Sequence, residues 1–290
     1  MSISINSTQG VPILLKSECS EDTRPVTHRV LLLAFPLLAG CSASVLPTSG
    51  DIEGDSATYF GQEVRSWARA DEEGALSEIG ITLPRAAVEA TPTALPEGSA
   101  PGFHDQTWSV RLALPRSVRQ ETVFDHVDID FNLGGHPPLG VYDVPHFDVH
   151  FYALGVDEQL AIDCSDADPV SPDALPPYYI ATKPGIAPQG ECVPTMGHHA
   201  FDLRSPELAP EPAPFTATMV LGYYDGAFTF LEPMLSRAFF AEKQQTELEV
   251  PVPPRLGQTT RYPTKFIAAY NEQTDAYSLI LTNFVQVIAL

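Results

Sequence analysis

Residues 128–152, DIDFNLGGHPPLGVYDVPHFDVHFY, hold three of the chain's eight histidines and four aspartates within 25 residues. Imidazoles and carboxylates at close spacing bind divalent cations or carry protons. The stretch ends in His146-Phe-Asp-Val-His150. Read as a strand, alternation puts His146, Asp148 and His150 on one face and Phe147, Val149 and Phe151 on the other. Two imidazoles four residues apart on a strand are separated by about 13 Å, which is wide for one ion unless the strand bends or bulges. Asp148 is nearer to each histidine and suits an acceptor that orients an imidazole.

More ligand-type residues follow downstream. Met196-Gly-His-His-Ala-Phe-Asp202 supplies His198 and His199, and Glu232 sits among Phe228, Phe230, Leu231, Pro233 and Met234. A carboxylate in such apolar company must be paired, hydrogen-bonded or protonated. Two or three histidines with one carboxylate is a ligand set used by zinc and non-haem iron. The expected metal ligands are therefore His146, His150, His199 and Glu232, with Asp148 and His136 behind them. The ion such a set would take is divalent, zinc or iron. A satisfied polar network inside a β domain remains the alternative. Gly134-Gly-His136-Pro-Pro-Leu-Gly140 lacks the Lys-Ser/Thr ending of a phosphate loop, and no Gly-x-Ser-x-Gly elbow supports a serine hydrolase.

The elements that must position these groups are mainly strands. Residues 64–70 and 79–83 read as a hairpin around Asp71-Glu-Glu-Gly74, and a short helix follows Pro84. Residues 108–114, 127–133 and 147–151 alternate, and Val156 to Asp163 suits one or two helical turns. Residues 216–234 form the clearest hairpin, with Asp225-Gly226 as its turn. Leu235 to Gln244 suits a short helix, and 264–270 with 276–287 make a second hairpin. About ten strands predict a mainly β fold: a single antiparallel sandwich or barrel-like domain with short helical insertions.

The amino-terminal part reads as an export signal. Arg24 and Arg29 precede the apolar run 30–41, VLLLAFPLLAGC, which is too short to span a bilayer and ends in Leu38-Ala39-Gly40-Cys41. That ending resembles the bacterial lipobox, in which the cysteine is lipidated. The long stretch before the run carries Glu18, Glu21 and Asp22, unlike a short basic flank, so a translation start nearer Val26 or Val30 is expected. The predicted organisation is a lipoprotein-type signal peptide at 1–41, a flexible tether at 42–58 and one β-rich domain at 59–290. Cys41 would hold the chain to a membrane of the bacterial cell envelope, on its extracytoplasmic side. Outside the cytoplasm the two other mature cysteines, Cys164 and Cys192, are expected to pair. The net charge of −21 argues against nucleic acid as a partner. A small ligand and a homo-oligomer stay open as partners.

Arg65-Ser-Trp-Ala, Gly135-His-Pro-Pro, His146-Phe-Asp-Val-His-Phe-Tyr152, Met196-Gly-x-His199 and Glu232-Pro-Met234 together resemble an exported bacterial family catalogued as a domain of unknown function. The likeness runs from about residue 56 to the C-terminus. It matches His199 rather than His198 to the family histidine and departs at Ala200, where the pattern carries an aromatic residue. It implies a shared site without naming a reaction. Three functions compete. The first is a metal- or ligand-binding envelope domain, the second a metal-dependent hydrolase or oxygen-using enzyme, and the third a structural envelope protein without a metal.

Overall fold

The computed structural model describes residues 50–94, 107–165, 170–181 and 192–288. Its strands form two antiparallel sheets. The first sheet comprises β1 (Asp51–Tyr59), β2 (Gln62–Ala70), β3 (Leu76–Pro84), β11 (Thr246–Glu249), β12 (Thr260–Asn271) and β13 (Ala276–Val287). Its order is β1-β2-β3-β13-β12-β11. The second comprises β4 (Thr107–Ala113), β5 (His126–Asn132), β6 (His146–Tyr152), β7 (Tyr179–Ile180), β8 (His198–Asp202), β9 (Ala217–Tyr224) and β10 (Ala227–Ser236). Its order is β4-β5-β6-β10-β9-β8-β7. Neither sheet closes, so the expected sandwich is present and the barrel is not.

Local chemistry accounts for the hairpins. Between β2 and β3, Asp71 Oδ1 accepts from the backbone N–H groups of Glu73 and Ala75. Between β9 and β10, Asp225 and Gly226 take φ of 49° and 71°, the left-handed pair that a two-residue hairpin turn requires. Helix α1 (Arg85–Glu89) starts directly after Pro84, which ends β3 and stands at the N-cap rather than in the first turn. Helices α2 (Arg116–Glu121), α3 (Val156–Leu160) and α4 (Arg237–Ala241) are also short, none longer than six residues.

The sheets share one apolar core. Ile79, Ile81, Phe266, Leu279 and Leu281 from the first sheet meet Val127, Ile129, Phe131, Phe147, Val149, Phe151, Leu231 and Leu235 from the second. The expected alternation of β5 and β6 is thus correct for the inward side. The outward side differs from ordinary alternation, because every residue of β5 and β6 is buried. Tyr142, Phe215, Val220 and Met234 form a second, smaller apolar cluster, with Val141 and Phe201 against it. The loops 133–145 and 203–216 contribute Tyr142 and Phe215 to that cluster, so they roof part of the sheet's outer face. A polar strand face sealed in this way must satisfy its groups internally.

The order of the chain begins earlier than expected. Residues 51–58, assigned to the tether from sequence, belong to β1. The strand is an edge with mostly exposed side chains, so it carries no apolar alternation to announce it. The proposed signal at 1–41, Cys41 and the tether residues 42–49 lie outside the described residues. Among the described residues no helix is long and apolar enough to cross a membrane. Cys164 and Cys192 form a disulfide with Cα atoms 5.6 Å apart, as expected.

Candidate functional site

Strand register stacks the polar residues of β5, β6 and β10 on the roofed face. Asp128 stands opposite His150, Asp130 opposite Asp148 and Asn132 opposite His146, while Met234 of β10 also faces Asp148. Three polar groups therefore succeed one another along β6.

The group at the β6 carboxyl end is a closed network. Arg111 Nε and Nη2 donate to the two oxygens of Asp128, each at 2.7 Å. Gln159 of α3 donates to Asp128 Oδ2 at 3.0 Å, and its own oxygen accepts from Arg111 at 2.6 Å. His126 Nε2 lies 3.0 Å from the same Gln159 oxygen. These residues satisfy one another and hold α3 on the sheet, which makes His126 structural.

The central group joins three strands. His150 Nε2 lies 3.4 Å from Glu232 Oε1, and His199 Nε2 lies 3.7 Å from Glu232 Oε2. One donor atom from each of the three falls within 4.8 Å of the others, close enough to converge on a single cation after small side-chain rotations. Behind His150, Asp130 Oδ2 stands 3.1 Å from Nδ1, where it can orient the ring with Nε2 toward Glu232. Both His150 nitrogens and Glu232 Oε2 are sealed from solvent without aligned hydrogen bonds. His199 is the most open member, with 14% of its side chain exposed.

The electrostatics are those of a sealed site with excess negative charge. Burial disfavours the His150 imidazolium, yet the carboxylates of Glu232 and Asp130 outweigh it and push the pKa up to about 10. Burial pushes Glu232 up to about 8 against the pull of His150, and Asp148 adds to the rise. Such surroundings favour bound protons or a cation.

Two neighbours shape this cluster. Gly197 takes φ +101°, and a Cβ there would sit 2.4 Å from the Tyr223 carbonyl oxygen, so glycine lets the turn before β8 press against β9. Phe230 stands edge-on to both rings, its centroid 4.9 Å from His150 and 5.2 Å from His199. Ala200, where an aromatic wall was expected, faces inward to the main core, and Phe230 is the aromatic neighbour of His199.

The third group holds the remaining expected residues. His146 Nε2 lies 3.0 Å from Asp148 Oδ1, and His136 Nε2 3.2 Å from Asp148 Oδ2. The set of His146, His150, His199 and Glu232 thus divides. His150, His199 and Glu232 meet, and His146 joins His136 and Asp148 instead. The reason is strand geometry: β6 pairs with β5 through seven consecutive residues without a bulge, so the spacing of His146 and His150 is never shortened. Sequence reasoning did not nominate Asp130 or Asn132. The signal was present in β5, where Asp128, Asp130 and Asn132 alternate with Val127, Ile129 and Phe131 as the ligands of β6 do.

A family model described as TTHB210-like, hypothetical protein TTHB210, matches residues 71–131. That span fits an uncharacterised domain and includes Asp128 and Asp130, but it stops short of β6, β8 and β10. No curated protein and no solved structure matches the chain.

Proposed function

We propose that the protein is a divalent-metal-binding β-sandwich whose ion is held by His150, His199 and Glu232. The observation that carries this reading is the buried Glu232 carboxylate with imidazoles from two other strands on its two oxygens. Two nitrogens and one carboxylate suit zinc or iron better than calcium or magnesium, which prefer all-oxygen sites. Asp130 would fix the His150 ring. Elemental analysis of the purified full chain is the test. At least one equivalent of a transition metal should be present and one equivalent should be lost in Glu232→Gln, while Asp130→Asn should weaken binding at this cluster by about 10–100-fold. A folded wild-type chain that binds no such ion at this cluster would sink the reading and favour a structural polar network.

A metal-dependent hydrolase or oxygen-using enzyme is the second reading. It is favoured by the count of ligands, since three protein donors leave a coordination position, and by the partial exposure of His199. For location, we infer an extracytoplasmic lipoprotein of the bacterial cell envelope, anchored through Cys41. Leu38-Ala39-Gly40-Cys41 after a short apolar run supports this, and the Cys164–Cys192 disulfide agrees with export. Cys41→Ser should release the protein from membranes or leave it unprocessed. An intact, unmodified 1–41 segment on the native protein would refute the anchor.

A further inference from the structure

The group around Asp148 has its own logic. His146 Nδ1 lies 2.7 Å from the Val144 carbonyl oxygen, and His136 Nδ1 lies 2.8 Å from that of Pro137. A carbonyl oxygen can only accept, so each Nδ1 carries the proton. In the neutral rings, Nε2 is then a bare lone pair. Both Nε2 atoms face the Asp148 carboxylate, one at each oxygen, and that of His136 stands in hydrogen-bond geometry with Oδ2 at 3.2 Å. Lone pairs of nitrogen and oxygen at this range repel unless positive charge lies between them.

The His146 side chain is wholly buried, and Asp148 is nearly so. Even so, His146 Nε2 and Asp148 Oδ1 are not aligned for a hydrogen bond, although they are 3.0 Å apart. A shared proton serves this pair poorly in that geometry, whereas an ion set to one side of the line joining them would meet both atoms. Asn132 Nδ2 donates to Asp148 Oδ2 at 2.6 Å and holds the carboxylate in place. Imidazoles fixed through Nδ1 by backbone carbonyls, with a carboxylate steadied by an amide, form the outer support expected around metal ligands.

We propose that His136, His146 and Asp148 form a second, separate site for a divalent transition-metal ion. Their donor atoms lie within 4.8 Å of one another. Two nitrogen donors select a zinc-like ion over calcium or magnesium. The site does not merge with the cluster at His150. Asp148 and His150 are two residues apart on an unbulged strand, a separation of about 6.6 Å, whereas ions that share ligands stand about 3.5–4 Å apart. The protein thus carries two single-ion sites side by side.

The test is a titration of metal-free full-length chain with Co2+ or Zn2+, followed by calorimetry and, for cobalt, by absorption. Wild type should take two equivalents. His136→Gln, in a loop rather than a strand, should take one, and so should Glu232→Gln. The double variant should take none. Loss of one equivalent in Glu232→Gln reports on the first site alone and leaves this inference standing. A wild type that takes a single equivalent, lost in Glu232→Gln and kept in His136→Gln, overturns it. Nitrogen-15 imidazole spectra of the wild type give a check that does not depend on how variants fold. Metal should shift the Nε2 signals of His136 and His146 while Nδ1 stays protonated. Rings that remain imidazolium throughout the titration also overturn the inference.

Discussion

At the scale of single residues, the buried face of the second sheet divides into groups that complete themselves and groups that do not. Asp128 belongs to the first kind. Burial raises its proton affinity, but hydrogen bonds from Arg111 and Gln159, with the Arg111 charge, hold its pKa below the ordinary 3.8. A carboxyl depressed by folding contributes stability that is fully present above its unfolded pKa and is lost as pH falls through the folded one. The urea midpoint of the wild type should therefore fall on acidification below about pH 4. Asp128→Asn, which cannot ionise, should show a shallower fall over the same window. Equal slopes for the two proteins would refute the assignment. The ligand-type residues of β6 were legible from alternation alone. Their division was foreshadowed by the distance between His146 and His150, whereas the role of Asp130 depends on the β5–β6 register, which no local pattern encodes.

Among the elements, those with strong turn chemistry were legible: the hairpins closed by Asp71-Glu-Glu-Gly74 and Asp225-Gly226, and the helix after Pro84. The missed strands β1, β7, β8 and β11 lie at or next to sheet edges. Such strands are short or half-exposed, and nothing obliges their residues to alternate. Strand β9 shows how an element can serve the site without supplying a ligand. A Cβ on Gly222 would fall 2.2 Å from the Phe230 ring, so the glycine makes the space in which Phe230 stands beside His150 and His199. Gly222→Ala should cost about 1–3 kcal/mol through overpacking. It should also weaken metal binding at the central cluster, because Phe230 must move against the two rings. Wild-type affinity with unchanged melting temperature would show that Phe230 yields freely and has no positioning role.

For the whole molecule, the two-layer β architecture followed from the count and alternation of strands. Strand order did not, because β3 pairs with β13 and β6 with β10 across long stretches of intervening chain. The roof over the outer face was also hidden, since alternation in a sequence normally means that the polar side meets water. The disulfide is a constraint at this scale, closing a sequence separation of 28 residues. In the chain-entropy account this stabilises the fold by about 3–4 kcal/mol. At about 2–4 °C per kcal/mol, reduction should lower the melting temperature by roughly 6–16 °C. An unchanged transition would show that the reduced, unfolded chain is already compact around this loop.

The unequal cover over the two ligand groups sets a difference in time. His199 reaches solvent, so ions and water can exchange at the central cluster through side-chain motion. His146 is fully enclosed, and Tyr142 above that group is pinned by its hydroxyl donating to Glu207 at 3.1 Å. Traffic there must wait for the roof to lift, so local opening sets the residence time of anything bound. A metal-loaded chain challenged with excess chelator should release its ions in two phases. Tyr142→Phe, which removes the pin and keeps the ring, should quicken the slow phase alone.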